Sequence, residues 1–149
     1  MNQDISCSGS TLGLLFRQVR DAMWAQMERE LAAAGYDLTF SQYVTLKELA
    51  NGPAGVTELA RVAQLHPGAM TRLLDRLEER GIVQRVADPA DRRAWRIHMT
   101  EAGQSLWTNV SHCGHRVREQ AMRGMSDDDR ERLTTLLTQV RDNLTPSGS

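Results

Sequence analysis

Arginine dominates the chemistry available to this sequence: seventeen arginines accompany a single lysine, Lys47. Two groups stand out by spacing. In Thr71-Arg72-Leu73-Leu74-Asp75-Arg76 a hydroxyl and a guanidinium adjoin, and a second guanidinium follows about one helical turn on. In Asp88-Pro89-Ala90-Asp91-Arg92-Arg93 two adjacent guanidinium groups follow two aspartates and a proline. A guanidinium stays charged at any physiological pH, and its planar fork matches phosphate oxygens or the O6 and N7 atoms of guanine. Threonine can donate its hydroxyl to the same acceptors. The aspartates of the second group suit a turn, because a short carboxylate accepts hydrogen bonds from nearby backbone or arginine. Arg76 also adjoins Asp75, and an internal salt bridge explains it as well as an outward contact does.

Other chemistry is sparse. His112 and His115 stand three apart, hence on one helix face, with Cys113 between them. They are candidate zinc ligands, but no chelating partner on another helix shows in the pattern. There is no phosphate-binding glycine loop, nucleophile elbow or metalloprotease helix, so an enzyme is not expected, nor is a cofactor. Cys7 and Cys113 do not make a disulfide framework. The chain of 149 residues is long enough for one domain with its own core, and no apolar run approaches the roughly 20 residues that span a bilayer. Met1 to Ser10 is polar and unlike a secretory leader, which predicts a cytoplasmic protein without a membrane partner. The net charge of -1 hides an uneven distribution: eight arginines lie from Arg61 to Arg96 against five acids, while Asp127, Asp128, Asp129 and Glu131 cluster elsewhere. Such runs are often only solvated faces, so their meaning depends on the elements that carry them.

Those elements follow from apolar spacing. Leu12, Leu15, Val19, Met23, Met27 and Leu31 predict a helix from about Thr11 to Ala34, stopped at Gly35. Thr39 and Gln42 have capping-box spacing for a second helix that ends before Asn51-Gly52-Pro53. Thr57 is placed to cap a short third helix, and Pro67 to open a fourth that runs to Arg80 and stops at Gly81. Ile82, Val83 and Val86, then Trp95, Ile97 and Met99, fit two strands joined by a charged loop from Ala87 to Ala94. Thr100 and Ser126 are placed to cap two closing helices, and Pro146 to Ser149 is expected to be disordered.

Helix, tight turn, helix and two-stranded wing is the order of a winged helix-turn-helix, so the fold class is mainly α (α+β). On the second helix of the pair, Leu73, Leu74 and Leu77 require burial. Gly68 and Ala69 are small enough to let the helix sit deep against bases, with Thr71, Arg72 and Arg76 as polar contacts. The helix pair alone is equally compatible with a hairpin in an ordinary bundle; the arginines at the hairpin tip favour DNA, where they can enter a narrow minor groove. A winged-helix module that binds protein is the rival reading, and an apolar or acidic recognition face would favour it.

The stretch TELARVAQLHPGAMTRLLDRLEERGIVQRVADPADRRAWRIHMTEAG, Thr57 to Gly103, resembles the central region of MarR-family transcriptional regulators. Leu59-Ala60, Thr71-Arg72, Asp75-Arg76-Leu77-Glu78, Gly81, the Asp-Arg-Arg wing and Thr100-Glu101-Ala102-Gly103 match in order and spacing, and the flanking helices match in length. The resemblance implies a ligand-responsive bacterial regulator, in the first instance a repressor, that binds inverted-repeat duplex DNA as a homodimer. It implies a DNA-binding lobe over 41–99 and dimerisation helices over 11–34 and 100–145. Arg93 becomes the minor-groove residue and Arg92 a phosphate or wing-stabilising one. Thr71 and Arg72 face the major groove, with His66, Pro67, Gly68, Ala69 and Arg76 around them. The family also implies a small aromatic or phenolic effector, for which Trp24, Tyr43 and Arg17 are the candidate contacts; core packing and surface exposure are the alternatives for these three. Some relatives sense peroxide through an N-terminal cysteine, but Cys7 is expected to precede the first helix, with Gly13 at the matching position; others bind zinc. Gln64 stands where many helix-turn-helix proteins have a turn glycine, which suggests a longer first helix of the pair. His66 and Gly68 give the recognition helix few base-reading groups at its start.

Overall fold

The structure, a computed structural model, describes the backbone of residues 4–146 and the side chains of 11–146. It divides into two compact units, Met1–Val117 and Arg118–Ser149. In the first unit α1 (Asp4–Ala33) is followed by α2 (Phe40–Leu49), β1 (Ala54–Gly55), α3 (Val56–Ala63), α4 (Pro67–Glu79), β2 (Val83–Ala87), β3 (Trp95–Met99) and most of α5 (Glu101–Ala121). The end of α5 and α6 (Asp127–Leu144) belong to the second unit. The expected mainly α, winged helix-turn-helix arrangement is therefore present.

Helix α1 starts eight residues before the apolar period does, so position 7 lies within it rather than ahead of it. The period could not reveal this: Ser8, Gly9 and Ser10 carry no apolar stripe, yet a helix already nucleated extends through such residues at modest cost. The side chain of Cys7 lies outside the described residues, as do positions 147–149 of the tail. Thr39 caps α2 with the full reciprocal box, its Oγ1 accepting from Gln42 N at 3.2 Å while Gln42 Oε1 accepts from Thr39 N at 3.1 Å. Thr57 does not cap α3; Gly55 occupies that position without a side-chain bond. Ser126 caps α6 through Asp129 N, and Thr100 Oγ1 accepts from Gly103 N at the start of α5.

The turn between α3 and α4 departs from the expectation of a longer helix. Gln64 ends α3 in the left-handed conformation, with φ 54 and ψ 43, and Leu65 N then donates to Ala60 O at 2.9 Å. Glutamine thus does the work usually left to glycine, at a steric cost of about 1 kcal/mol. At the other end of α4, Gly81 takes φ 72, a conformation that costs a glycine little.

The sheet has the order β1-β3-β2 and is antiparallel throughout. Ala54 pairs with Ile97, and β2 runs against β3 from Val83↔Met99 to Ala87↔Trp95. The two-residue β1 has no alternating pattern of its own; it exists because β3 offers an edge, and Arg96 secures it by donating to Pro53 O at 2.7 Å. Leu31, Leu46, Leu59, Met70, Leu74, Leu77, Ile97 and Val110 are fully buried in one core that joins α1, the helix pair, the hairpin and α5. Each such side chain removed from water contributes about 1.5–3 kcal/mol, and this packing fixes α4 against the wing.

Candidate nucleic-acid interface

Helix α4 buries Met70, Leu73, Leu74 and Leu77 and thereby turns Gly68, Thr71, Arg72, Asp75 and Arg76 to solvent. Pro67 is its first residue and His66 its cap, with Nδ1 accepting from Gly68 N at 3.1 Å. While Nδ1 accepts, the ring proton resides on Nε2, so the cap itself presents an outward donor. Thr71 donates its hydroxyl back to Pro67 O at 3.0 Å, leaving the oxygen lone pairs as acceptors. Arg72 and Arg76 line a cleft of about 260 Å³ together with Ala69, Leu73, Leu65 and the capped start of α2 at Thr39, Ser41 and Gln42.

Of the two alternatives for Arg76, the bridge to Asp75 does not form among the described residues. Asp75 instead accepts from Arg85 of β2 at 2.7 Å, and the same guanidinium reaches Glu78 at 3.1 Å and Thr71 O at 3.5 Å. Neighbours in a helix point about 100° apart, which carries Arg76 to the α2 side and Asp75 to the wing side. Arg85 therefore ties the wing to the recognition helix and neutralises two acids on that surface. Sequence reading passed over it because a basic residue mid-strand is ordinary; its signal was the Asp75 and Glu78 spacing, which puts two carboxylates on one face.

The wing loop is shaped as its aspartates suggest. Asp88 accepts from Ala90 N at 2.9 Å and Asp91 from Arg93 N at 3.0 Å, and Asp88 N donates to Ala94 O across the base. Arg92 and Arg93 are exposed at the tip, and neither guanidinium is in an ion pair among the described residues. Arg72 and Arg76 are likewise unpaired there. The exposed surface from α4 to the wing tip thus holds free guanidinium groups, while four of its acids are engaged by Arg85 or by loop N–H groups.

The aromatic candidates assemble around α1, α2 and α5. Trp24 stacks on Phe40 at 4.3 Å between ring centroids, Phe40 lies 6.4 Å from Tyr43, and Tyr43 lies 5.5 Å from Trp107. The cation over this group is Arg20, 5.4 Å above Trp24. Arg17 instead points away to Asp21 at 3.9 Å. Tyr43 is buried, and its hydroxyl sits so close to Gly114 that a Cβ there would overlap it.

His112, Cys113 and His115 do not converge: both histidines are exposed, whereas Cys113 is fully buried beside Glu30 O and receives Arg116 Nη2 at 3.3 Å. Among the described residues no group of three or more His, Cys, Asp or Glu side chains is placed to hold a metal ion. Arg116 also bonds Glu30 at 2.7 Å; this holds the Glu30 carboxyl below its ordinary pKa and raises that of Arg116. No described helix is long and apolar enough to cross a membrane.

A capped recognition helix beside an arginine-tipped β-hairpin defines a winged helix-turn-helix protein of the nucleic-acid-binding kind. Residues 38–95 match the MarR family model. A mutant of MarR from E. coli, solved in complex with operator DNA, is 25% identical with a TM-score of 0.77, over 93% of this chain and 99% of that one. A probable transcriptional regulator from Pseudomonas aeruginosa is 26% identical with a TM-score of 0.73, over 86% and 95%. BpsR of Bordetella bronchiseptica, whose DNA binding is regulated by 6-hydroxynicotinic acid, shares the fold at 21% identity and a TM-score of 0.75, over 87% and 92%. The chain thus carries a MarR-family match over residues 38–95, and its fold is shared with solved DNA-binding transcriptional regulators.

Proposed function

We propose that the protein is a ligand-responsive repressor that binds an inverted-repeat operator as a homodimer. The observation that carries this is the free arginine field of α4 and the wing, where four of the five acids, all but Glu79, are already engaged. Arg72 and Thr71 address the major groove, with Arg76, His66, Pro67, Gly68 and Ala69 around them, and His66 supplies a donor at the helix start. Arg93 enters the minor groove and Arg92 meets phosphate. Two-fold pairing sets two such helices about 34 Å apart, one turn of DNA, and occupancy then blocks transcription. Pairing is supported by apolar side chains left in solvent. In the first unit these are Leu12, Leu15 and Val19; in the second, Leu133, Leu136 and Leu137.

The effector is a small aromatic or phenolic acid. Trp24 and Tyr43, with Phe40 and Trp107, supply aromatic walls, and Arg20 takes the cationic role first assigned to Arg17. It releases DNA by preferring the protomer spacing that does not fit the operator. The control of BpsR by a hydroxylated aromatic acid agrees with this chemistry. A gel shift on the duplex upstream of its own gene, with and without hydroxylated aromatic acids, tests the reading. Retardation relieved by one of these acids is expected, and a monomer that retards no duplex at low salt would refute it.

A further inference from the structure

The largest apolar side chain exposed on the DNA-binding part of the molecule is Trp95, at 52%. Antiparallel pairing puts directly opposed residues on one face of the hairpin, so Val83, Arg85, Ala87, Trp95, Ile97 and Met99 share a face. The inner end of that face is core, with Val83 and Ile97 buried. Further out, Arg85 turns to Thr71, Asp75 and Glu78 of α4. Trp95 lies one position beyond, past the last helix able to cover it and opposite Ala87, too small to shield an indole. Its ring stacks on no other ring and its N–H finds no acceptor among the described residues. It also precedes nothing loose: Ala94 and Asp88 close the loop base beside it, and Arg93 stands two residues away.

We propose that Trp95 is a DNA-contacting residue, its indole lying on the sugar-phosphate backbone beside the groove that the wing arginines enter. The inference rests on the DNA-binding reading above and adds to it a contact made without charge. The flat ring covers deoxyribose C–H groups, and Nε1–H donates to a phosphate oxygen. Cationic side chains on the same hairpin, Arg92 and Arg93, bring that backbone to the ring. A partner protein would need an apolar or acidic patch able to sit among these arginines; backbone phosphate with its sugars meets both properties at once.

The discriminating feature is salt. Removing an arginine weakens binding and flattens its salt dependence, whereas removing an indole weakens binding and leaves the slope as it was. Trp95→Ala should lose about ten-fold in affinity for the duplex upstream of its own gene, the equivalent of re-exposing about half a large apolar side chain, with an unchanged slope. Trp95→Phe should recover part of the loss. Independently of any Trp95 substitution, a Trp24→Phe/Trp107→Phe chain leaves Trp95 as the one tryptophan, and duplex DNA should shift its selectively excited emission and protect it from acrylamide. Emission unmoved by a duplex that binds, wild-type affinity in Trp95→Ala, or a loss accompanied by a flattened slope would overturn the inference while the DNA-binding reading stands. Failure of the wild-type chain to bind any duplex at low salt would remove that reading and this inference with it.

Discussion

Two sets of arginines in this protein face opposite circumstances. Along the helices outside the winged lobe, five of the nine guanidinium groups meet carboxylates: Arg17 and Arg20 reach Asp21, Arg116 reaches Glu30, Arg130 reaches Glu119 and Arg141 reaches Asp142. On α4 and the wing, Arg72, Arg76, Arg92 and Arg93 meet none among the described residues, whereas Arg85 takes two acids out of play. The same residue type therefore serves cohesion at five positions outside the lobe, while the four on α4 and the wing tip are left without a carboxylate. A net charge of -1 conceals this, because a partner senses local field rather than the sum.

The difference can be broken most forcefully at Arg93. Arg93→Ala should weaken DNA binding by about 1–3 kcal/mol while the protein stays folded, measured by fluorescence anisotropy beside circular dichroism. Wild-type affinity in that variant would remove the wing from the interface. Arg85→Ala should follow at about 1 kcal/mol of lost DNA binding, because it frees Asp75 and Glu78 to repel phosphate and unties the wing from α4. Arg85→Ala/Asp75→Asn/Glu78→Gln should recover the repulsive part but not the positional part, and full recovery would show that Arg85 only neutralises. The turn that seats α4 gives a smaller effect: Gln64→Gly should stabilise the fold by about 0.5 kcal/mol in chemical denaturation, since relief of the left-handed strain outweighs the glycine's entropy. A destabilised variant would mean that the Gln64 side chain has a role the backbone does not explain.

The paired set yields the smallest expected effect, read in pH. Glu30 has its carboxyl pKa lowered by Arg116 in the folded state, so its contribution is complete above the ordinary carboxylate value and is lost as pH falls through the lowered one. Glu30→Gln should be less stable than wild type at neutral pH, and the two should converge under acid. A constant gap across that range would mean the pairing adds nothing to the stability profile.

Most of the helices and the hairpin were legible because each is announced by a period or a cap: the Thr39–Gln42 box, Pro67 before the leucines of α4, and Ser126 before α6. What escaped has no local signal. The start of α1 runs through residues without an apolar stripe, β1 exists only as the partner of β3, and Gln64 takes a backbone conformation that its side chain does not advertise. At the site, residue types identified the free arginines, but the identity of the paired one depended on distance in space. Asp75 is beside Arg76 in sequence, yet it faces Arg85, ten positions on. Likewise Arg20 rather than Arg17 covers Trp24, a choice set by helix phase over three residues.

The most direct measurement is the slope of log affinity against log salt for the wild-type protein and for Arg72→Ala, Arg76→Ala, Arg92→Ala and Arg93→Ala on one duplex. A steep wild-type slope that falls by about one for each phosphate-contacting arginine removed is the expected result. Slopes and affinities that stay at the wild-type value through all four substitutions would contradict the assignment of this surface to DNA.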